Sequence, residues 1–396
     1  MIVVAVASGT SADGCDVAAV EVAWDDTAIE MRVLGTDEYA FPDGLSARVL
    51  ATLPPATPGM AEVCRLDTDL GKAFAAAAEL GVRELAGGSA DLVVSPGQTV
   101  FHDVVDDRCL GTLQLGQPAW IAERTGLAVV SDLRASDVAA GGHGAPLAST
   151  FDALWLAGLA DGRPVAALNL GGIANASVVD PSARLLASFD TGPANCLLDV
   201  AAAQVSGGAF ASDVDGRLAL AGSVDERLLE RLLADTYFDL APPKSTGREL
   251  FSADFLASAR AGLEVSDADL LATLTEFTAR TIGDALRPYG VGEVVASGGG
   301  VRNPALMQAI ERQLAPATLA RAEDHGVDGD AKEVLLWALL GFLSWHGLPG
   351  TVHAGERVST GAAEPRVLGR ITRGAEALDL PTPRTSAPSA LRLTLG

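Results

Sequence analysis

The chain has 396 residues, room for two domains of ordinary size, and its 51 acidic against 28 basic side chains give a formal charge of −23. That balance weighs against a nucleic-acid or anionic-membrane surface, both of which reward Lys and Arg, but leaves a phosphorylated ligand open, because glycine loops and magnesium hold phosphate without many lysines. Cys15, Cys64, Cys109 and Cys196 show no CxxC spacing, no basic leader precedes the first apolar run, and no apolar run reaches about 18 residues, so a soluble cytoplasmic protein without zinc, disulfides or a membrane span is expected.

Residues 2–8 predict an apolar strand that runs into Gly9-Thr10-Ser11-Ala12-Asp13-Gly14, with returning strands over 17–23 and 31–39. Helices follow over 44–53 and 60–86, then a buried strand at Leu92-Val93-Val94 ending in Ser95-Pro96-Gly97-Gln98-Thr99. A helix over 118–125 and a strand over 127–131 lead into a glycine-rich loop, Gly141-Gly142-His143-Gly144-Ala145-Pro146. The pattern then restarts. A strand over 165–169, a Gly171-Gly172 turn and a returning strand over 174–179 repeat the opening of the chain as a weak internal repeat. Helices are expected over 195–205, 225–235, 252–262 and 266–288, a strand over 293–297 closed by Gly298-Gly299-Gly300, and helices over 303–314 and 331–346. Residues 381–396, with prolines among Ser and Thr, read as a loose tail.

Three glycine turns each end an apolar strand: 9–14, 171–172 and 298–300. Glycine admits positive φ and lets backbone N–H groups approach phosphate closely. None of the turns fits the P-loop spacing, and none opens a helix as G-x-G-x-x-G, which disfavours a dinucleotide fold. The segment Phe189-Asp190-Thr191-Gly192-Pro193-Ala194-Asn195 brings a carboxylate to the mouth of a new helix, with Pro193 suited to its first position and its backbone N–H groups suited to an anion. Two readings of Asp190 stand: a general base beside a phosphate, or a cap of that helix. The loop from Asp132 through Arg134 and Asp137 to Pro146 either grips an acid-bearing polar substrate or is a surface loop with ordinary ion pairs. Lys244-Ser245-Thr246-Gly247-Arg248 is a basic loop near a phosphate or a solvated connector. Glu333 either complements a helix dipole or reaches a ligand.

Together these motifs resemble the anhydro-N-acetylmuramic acid kinase family over nearly the whole chain, to about residue 372. The family's Gly-Thr-Ser-x-Asp-Gly turn sits at 9–14, its Gly-Gln-Thr element at 97–99, and its Asp-x-Arg and Gly-Gly-x-Gly-Ala-Pro-Leu runs at 132–134 and 141–147. Asn-x-Gly-Gly-x-x-Asn falls at 169–175, Phe-Asp-x-Gly-Pro-x-Asn at 189–195, Lys-Ser-Thr-Gly-Arg-Glu at 244–249, Gly-Gly-Gly-x-x-Asn at 298–303, and a closing Thr-Gly-Ala at 360–362.

The resemblance implies an α/β, actin-like ATPase fold of the acetate and sugar kinase, Hsp70 and actin type, with two lobes, each holding a mixed five-stranded sheet. The boundaries it suggests are 1–162 and 163–380, with the final segment returning to the first lobe. The implied reaction opens the anhydro ring of 1,6-anhydro-N-acetylmuramic acid with water and phosphorylates O6 from ATP. Asp190 matches the family base. Gly9, Thr10, Ser11, Ala12, Asp13, Gly14, Asp16, Asn169, Gly171, Gly172 and Lys244 match the phosphate side, and Gly298, Gly299, Gly300 and Asn303 the adenosine side. Gln98, Thr99, Arg134, Gly142, His143, Gly144, Asn195 and Glu333 match the sugar side, with Arg134 suited to the lactyl carboxylate. Mg2+ would reach Asp190 or Glu333 directly or through water. A homodimer acting on a small anhydro amino sugar is implied. The chain departs from the family at Pro96, Leu133, His143 and Ala194, positions the resemblance groups near the sugar. This makes a kinase of another 1,6-anhydro sugar, such as levoglucosan, the nearest alternative and a non-catalytic actin-like nucleotide-binding protein the more distant one.

Overall fold

The computed structural model describes every residue except Thr10, Ser11, Asp13, Pro54, Pro55, Asp106, Asp107, Ala211, Pro243, Ser245, Arg248, Glu249, 328–330 and Thr385. The chain divides into two compact units, Met1–Gly158 together with Gly326–Gly396, and Leu159–His325.

The first unit opens with β1 (Ile2–Ala7), β2 (Gly14–Asp25) and β3 (Ala28–Ala40), then β4 (Leu92–Ser95), the hairpin β5 (Gln98–Val105) and β6 (Arg108–Leu115), and β7 (Val129–Ser131). Val3 to Val6 of β1 are fully buried, as befits a central strand covered on both faces. In β3, Ile29 and Met31 are buried while Glu30 and Arg32 are exposed, the alternation of a half-solvated strand. One face receives the helix Met60–Leu80, whose Leu66, Leu70, Phe74 and Ala78 recur at helical spacing.

The second unit holds β8 (Val165–Leu170), β9 (Ile173–Val179), β10 (Leu185–Pro193), β11 (Glu293–Ser297) and β12 (Thr318–Arg321). The chain then returns to the first unit with the helix Lys332–Trp345, the two-residue strands β13 (His353–Ala354) and β14 (Arg357–Val358), and β15 (Arg370–Thr372) and β16 (Ala390–Leu395).

The sheet of the first unit runs β15-β7-β4-β1-β2-β3-β16. β1, β4 and β7 are parallel, while β1, β2 and β3 form an antiparallel meander. Within the second unit β12, β11, β8, β9 and β10 follow one another in the same pattern: β8, β11 and β12 parallel, β8, β9 and β10 antiparallel. The internal repeat of the sequence is thus a repeat of a five-strand order. In the first unit β15 and β16 extend that order at its two edges.

The structure adds to or departs from the sequence reading at four places. The final segment, expected to return to the first lobe, does so from Gly326 onward, because the apolar helix Lys332–Trp345 packs on β1 and β2. Residues 390–395 are not a loose tail but a strand parallel to β3, with Leu391 buried at 1% exposure. The hairpin β5–β6 carries register shifts at Thr99/Phe101 and Asp103/Val104, which blur its alternation in sequence. The helix Ala148–Leu159 buries eight consecutive residues, Ser149 to Leu156, and so lacks the one-sided apolar stripe by which a helix is read.

The helix Lys332–Trp345 approaches β4 at Gly341, where a Cβ would collide with the side chain of Val94. Gly341→Val is expected to lower unfolding free energy by about 1–3 kcal/mol through overpacking; urea denaturation measures it, and an unchanged midpoint would show that the contact relaxes freely.

Candidate active site

In the second unit, register gathers the polar residues. Ser297 pairs with Asn169, Asn169 with Asn175, and Asn175 with Asp190. Residues opposite one another on neighbouring strands share a face. The four side chains therefore form one row across β11, β8, β9 and β10. The alternating partners Leu168, Leu170, Ala174 and Ala176 enter the core of this unit. Asn175 is exposed and Asn169 and Asp190 are half-buried.

Asp190 is fixed through its backbone. Its N–H donates to Lys244 O at 3.0 Å, its carbonyl accepts the Tyr237 hydroxyl at 2.7 Å, and its Oδ2 accepts the Thr246 N–H at 2.9 Å. Burial, with the charge of Asp190 as a second cause, pushes the Tyr237 phenol above its ordinary pKa, so it remains a donor.

The helix Asn195–Val205 has Ala194 at its N-cap and no side-chain cap, so the capping reading of Asp190 falls. Pro193 ends β10 and does not open the helix. The anion-holding reading of this helix end falls as well. The N–H groups of Ala194, Asn195 and Cys196 donate to Gly172 O, Gly171 O and Gly172 O at 3.0, 3.1 and 3.0 Å, which fixes the 171–172 turn instead. Asn195 Nδ2 adds donations to Leu170 O and Gly171 O at 3.0 and 2.7 Å.

The third glycine turn closes on the same place. A Cβ at Gly300 would lie 2.6 Å from Leu170 Cβ, and Gly298, at φ +85°, would press one onto the Leu170 carbonyl. Gly171, Gly172, Gly298, Gly299, Gly300 and Asn195 are thus brought together at the carboxyl ends of β8 and β11, where ligands of α/β sheets sit. Asn303 stands apart as the cap of the helix Pro304–Leu314, its Oδ1 accepting the Leu306 N–H at 3.2 Å. Lys244 lies with its nitrogen on Tyr237, 3.2 Å from the carbonyl and 4.6 Å from the ring centroid.

In the first unit, Thr10, Ser11 and Asp13 lie outside the described residues. Ala12 N–H donates to Gly9 O at 3.2 Å, and Gln98 Nε2 reaches the same oxygen at 3.2 Å. Gln98 is 3% exposed, so it supports the turn from beneath. Gly14 pairs with Ala40 in a buried part of β2, and Asp16 pairs with Glu38. Thr99 accepts from Gln114 Nε2 at 3.3 Å.

The loop 141–147 is built on Asp137, which the sequence places in the candidate loop but without a role of its own. Fully buried, it accepts the Gly144 N–H on Oδ2 at 2.7 Å and the Thr360 hydroxyl on Oδ1 at 2.6 Å. Gly142 N–H donates to its carbonyl and His143 N–H to Thr360 O, each at 2.9 Å. The N–H groups of 142–144 therefore serve the loop itself, and the expectation that they grip a substrate changes. The burial of Asp137 and its Thr360 partner, more than 200 residues away in the chain, leave no local signal in the sequence.

What remains for a ligand is Arg134. Its Nη1 donates to Gly144 O at 2.7 Å and its guanidinium lies 5.2 Å from the Trp337 ring centroid. This is its one hydrogen bond among the described residues. Burial holds its pKa below the ordinary arginine value, with nearby Glu333 opposing. An arginine charged and largely buried, with most of its donors unengaged, is suited to a bidentate carboxylate or phosphate. Glu333 is exposed in the first turn of the helix Lys332–Trp345. Of the four departures, Leu133 and Ala194 are both 0% exposed, so they pack the core and do not face a ligand.

A duplicated mixed sheet with glycine turns after the first strand of each copy defines the actin-like ATPase fold. The family model for anhydro-N-acetylmuramic acid kinase matches residues 1–374. The chain is 51% identical over 397 residues to the anhydro-N-acetylmuramic acid kinase of Streptomyces coelicolor, covering all of both chains. It is 46% identical to that of Rhodococcus erythropolis over 99% of each, and 42% identical to that of Gloeobacter violaceus over 92% of this chain and 96% of the other. Among solved structures, a ROK hexokinase from Thermus thermophilus is similar at 17% identity and a TM-score of 0.37, covering 87% of this chain and 99% of that one. The chain belongs to the anhydro-N-acetylmuramic acid kinase family.

Asp137→Ala is expected to lower stability by about 1–3 kcal/mol, the usual effect of leaving buried donors unpaired. Chemical denaturation monitored by tryptophan fluorescence measures it; a variant as stable as the parent would mean that the loop holds itself.

Proposed function

We propose that this chain is a kinase that consumes ATP to open 1,6-anhydro-N-acetylmuramic acid and phosphorylate its O6, giving N-acetylmuramic acid 6-phosphate and ADP. The observation that carries the reading is the placement of Asp190: a half-buried carboxylate, hydrogen-bonded on its backbone N–H, its carbonyl and one carboxylate oxygen, at the end of a polar row.

In this reading Asp190 takes a proton from water as the water oxygen bonds to the anomeric carbon. The bond from that carbon to O6 breaks, and O6 receives the γ-phosphoryl group while ADP leaves. Gly9, Ala12, Gly14, Asn169, Gly171 and Gly172 would cradle the phosphates, with Thr10, Ser11 and Asp13 of the same motif. Asp16, beside Glu38, would meet them through a cation. Gly298 to Gly300 would lie against adenosine, and Asn303 would act there only through the helix it caps. Gln98, Thr99, His143 and Asn195 would shape the sugar side. Arg134 would hold the lactyl carboxylate, which favours the muramic substrate over levoglucosan, a sugar without an acid group. The family names of the relatives support the same choice.

Among the described residues no three His, Cys, Asp or Glu side chains gather as a metal cage. That suits Mg2+ held mainly by phosphate oxygens with Asp190 or Glu333 as protein donors, and when bound it would neutralise charge on the transferring group. No helix among the described residues is long and apolar enough to cross a membrane. Family membership supports a cytoplasmic homodimer with a small-molecule substrate and no nucleic-acid partner.

Purified protein with ATP, magnesium and the anhydro sugar in oxygen-18 water should yield a 6-phosphate with label at C1; unlabelled product would end the coupled mechanism. Asp190→Asn should reduce kcat by about 10²–10⁴ while ATP binding persists in calorimetry, and full turnover would remove the base assignment. Arg134→Ala should raise KM for the muramic substrate about 10–100-fold with a smaller change for a carboxylate-free analogue; equal losses on both would remove its role.

A further inference from the structure

Phe189 and Thr191, the chain neighbours of Asp190, line a cavity of about 270 Å³ within the second unit that Asp190 itself does not line. Phe189 pairs with Ala176 of the core in regular succession with Asp190 and Asn175, and successive side chains of a strand leave on opposite faces, so this space lies behind β10 relative to the carboxylate. Its walls are mostly apolar, with Phe238, Leu240 and the ring of Tyr289 among them, and two charged side chains line it: Lys244 and Asp284. Asp284 is half exposed and paired with Arg287 at 2.5 Å. Lys244 has the Tyr237 carbonyl and ring face as its partners, and among the described residues it makes no ion pair. Burial holds its pKa below the ordinary lysine value, with the charge of Asp239 opposing. A cation facing an aromatic cavity, without a carboxylate of its own, is complementary to an anion with an apolar body.

We propose that this cavity binds a small amphipathic carboxylate, with its acid group on Lys244 and its apolar body beside Phe189, Phe238 and Tyr289. The site has a direct route to the chemistry. Lys244 O accepts the Asp190 N–H, Thr246 N–H donates to the Asp190 carboxylate, and the Tyr237 hydroxyl donates to the Asp190 carbonyl. A ligand that draws Lys244 off Tyr237 shifts the same segment that positions Asp190, and so changes turnover without occupying a substrate site. The binding stands on the cavity alone; its effect on turnover rests on Asp190 being the base.

Benzoate is the probe and benzyl alcohol its uncharged counterpart, each titrated onto the full chain by ligand-observed NMR. Benzoate should bind saturably in the millimolar range, about tenfold more tightly than benzyl alcohol, and saturating ATP should not displace it. Lys244→Met should remove the preference for the acid. Ala285→Trp, which fills the cavity from the adjoining helix, should abolish binding with Lys244 intact and with a thermal melt showing a folded chain. Absence of benzoate binding, equal affinity for the alcohol, displacement by ATP, or undiminished binding to a folded Ala285→Trp would each overturn the site. In turnover assays saturating benzoate should change kcat about twofold or more with KM for ATP unchanged. Binding with kcat unaltered would overturn the coupling. A chain inactive with the anhydro sugar would still report on the cavity through NMR, which separates failure of the site from failure of the kinase reading.

Discussion

The register of three strands decides what the second unit presents to a ligand. β9 is antiparallel to both β8 and β10, and its Asn175 meets Asn169 on one side and Asp190 on the other. A slip of one residue would turn that row into the core and bring Leu168, Leu170 and Ala176 to the face it occupied. The apolar alternation that buries those side chains is therefore the same force that aims the polar ones. The site inherits its rigidity from the core, and needs no separate scaffold to place the Asp190 carboxylate.

The two units use one strand order for different electrostatic ends. In the second, a carboxylate is kept half-buried and its backbone is saturated with hydrogen bonds. In the first, a carboxylate is buried completely: Asp137 exchanges solvent for the Gly144 N–H and the Thr360 hydroxyl, and thereby shapes a loop whose carbonyl at Gly144 positions Arg134. The negative group has a structural task, and the cation beside it spends one hydrogen bond on the Gly144 carbonyl among the described residues. In a chain with a charge of −23, such local arrangement matters more for an anionic substrate than the overall sign.

Much of this was legible in the sequence, and the failures share a cause. Apolar strands ending in glycine turns announced β1, β8 and β11, and the restart at residue 165 announced the duplicated order. Asp190 stood out because its carboxylate follows an apolar run. Its role as something other than a cap was not legible, since that depends on donors from Ala194, Asn195 and Cys196 turning back to Gly171 and Gly172. The structural role of Asp137 was not legible, because nothing local distinguishes a buried aspartate that accepts from Thr360, more than 200 residues away in the chain, from a solvated one. Leu133 and Ala194 looked like changes in a binding surface, yet their side chains pack inward. In each case the deciding partner is remote in sequence, and periodicity carries no information about it.

The strand β16 has a practical side. It covers the outer edge of β3 over Ala28–Val33, where N–H and C=O groups would otherwise be open to pairing with other chains. The residue that follows it, Gly396, donates its N–H to Val33 O at 2.8 Å. Cutting the chain before Ala390, as if the segment were a dispensable appendage, would bare a sticky border along Ala28–Val33.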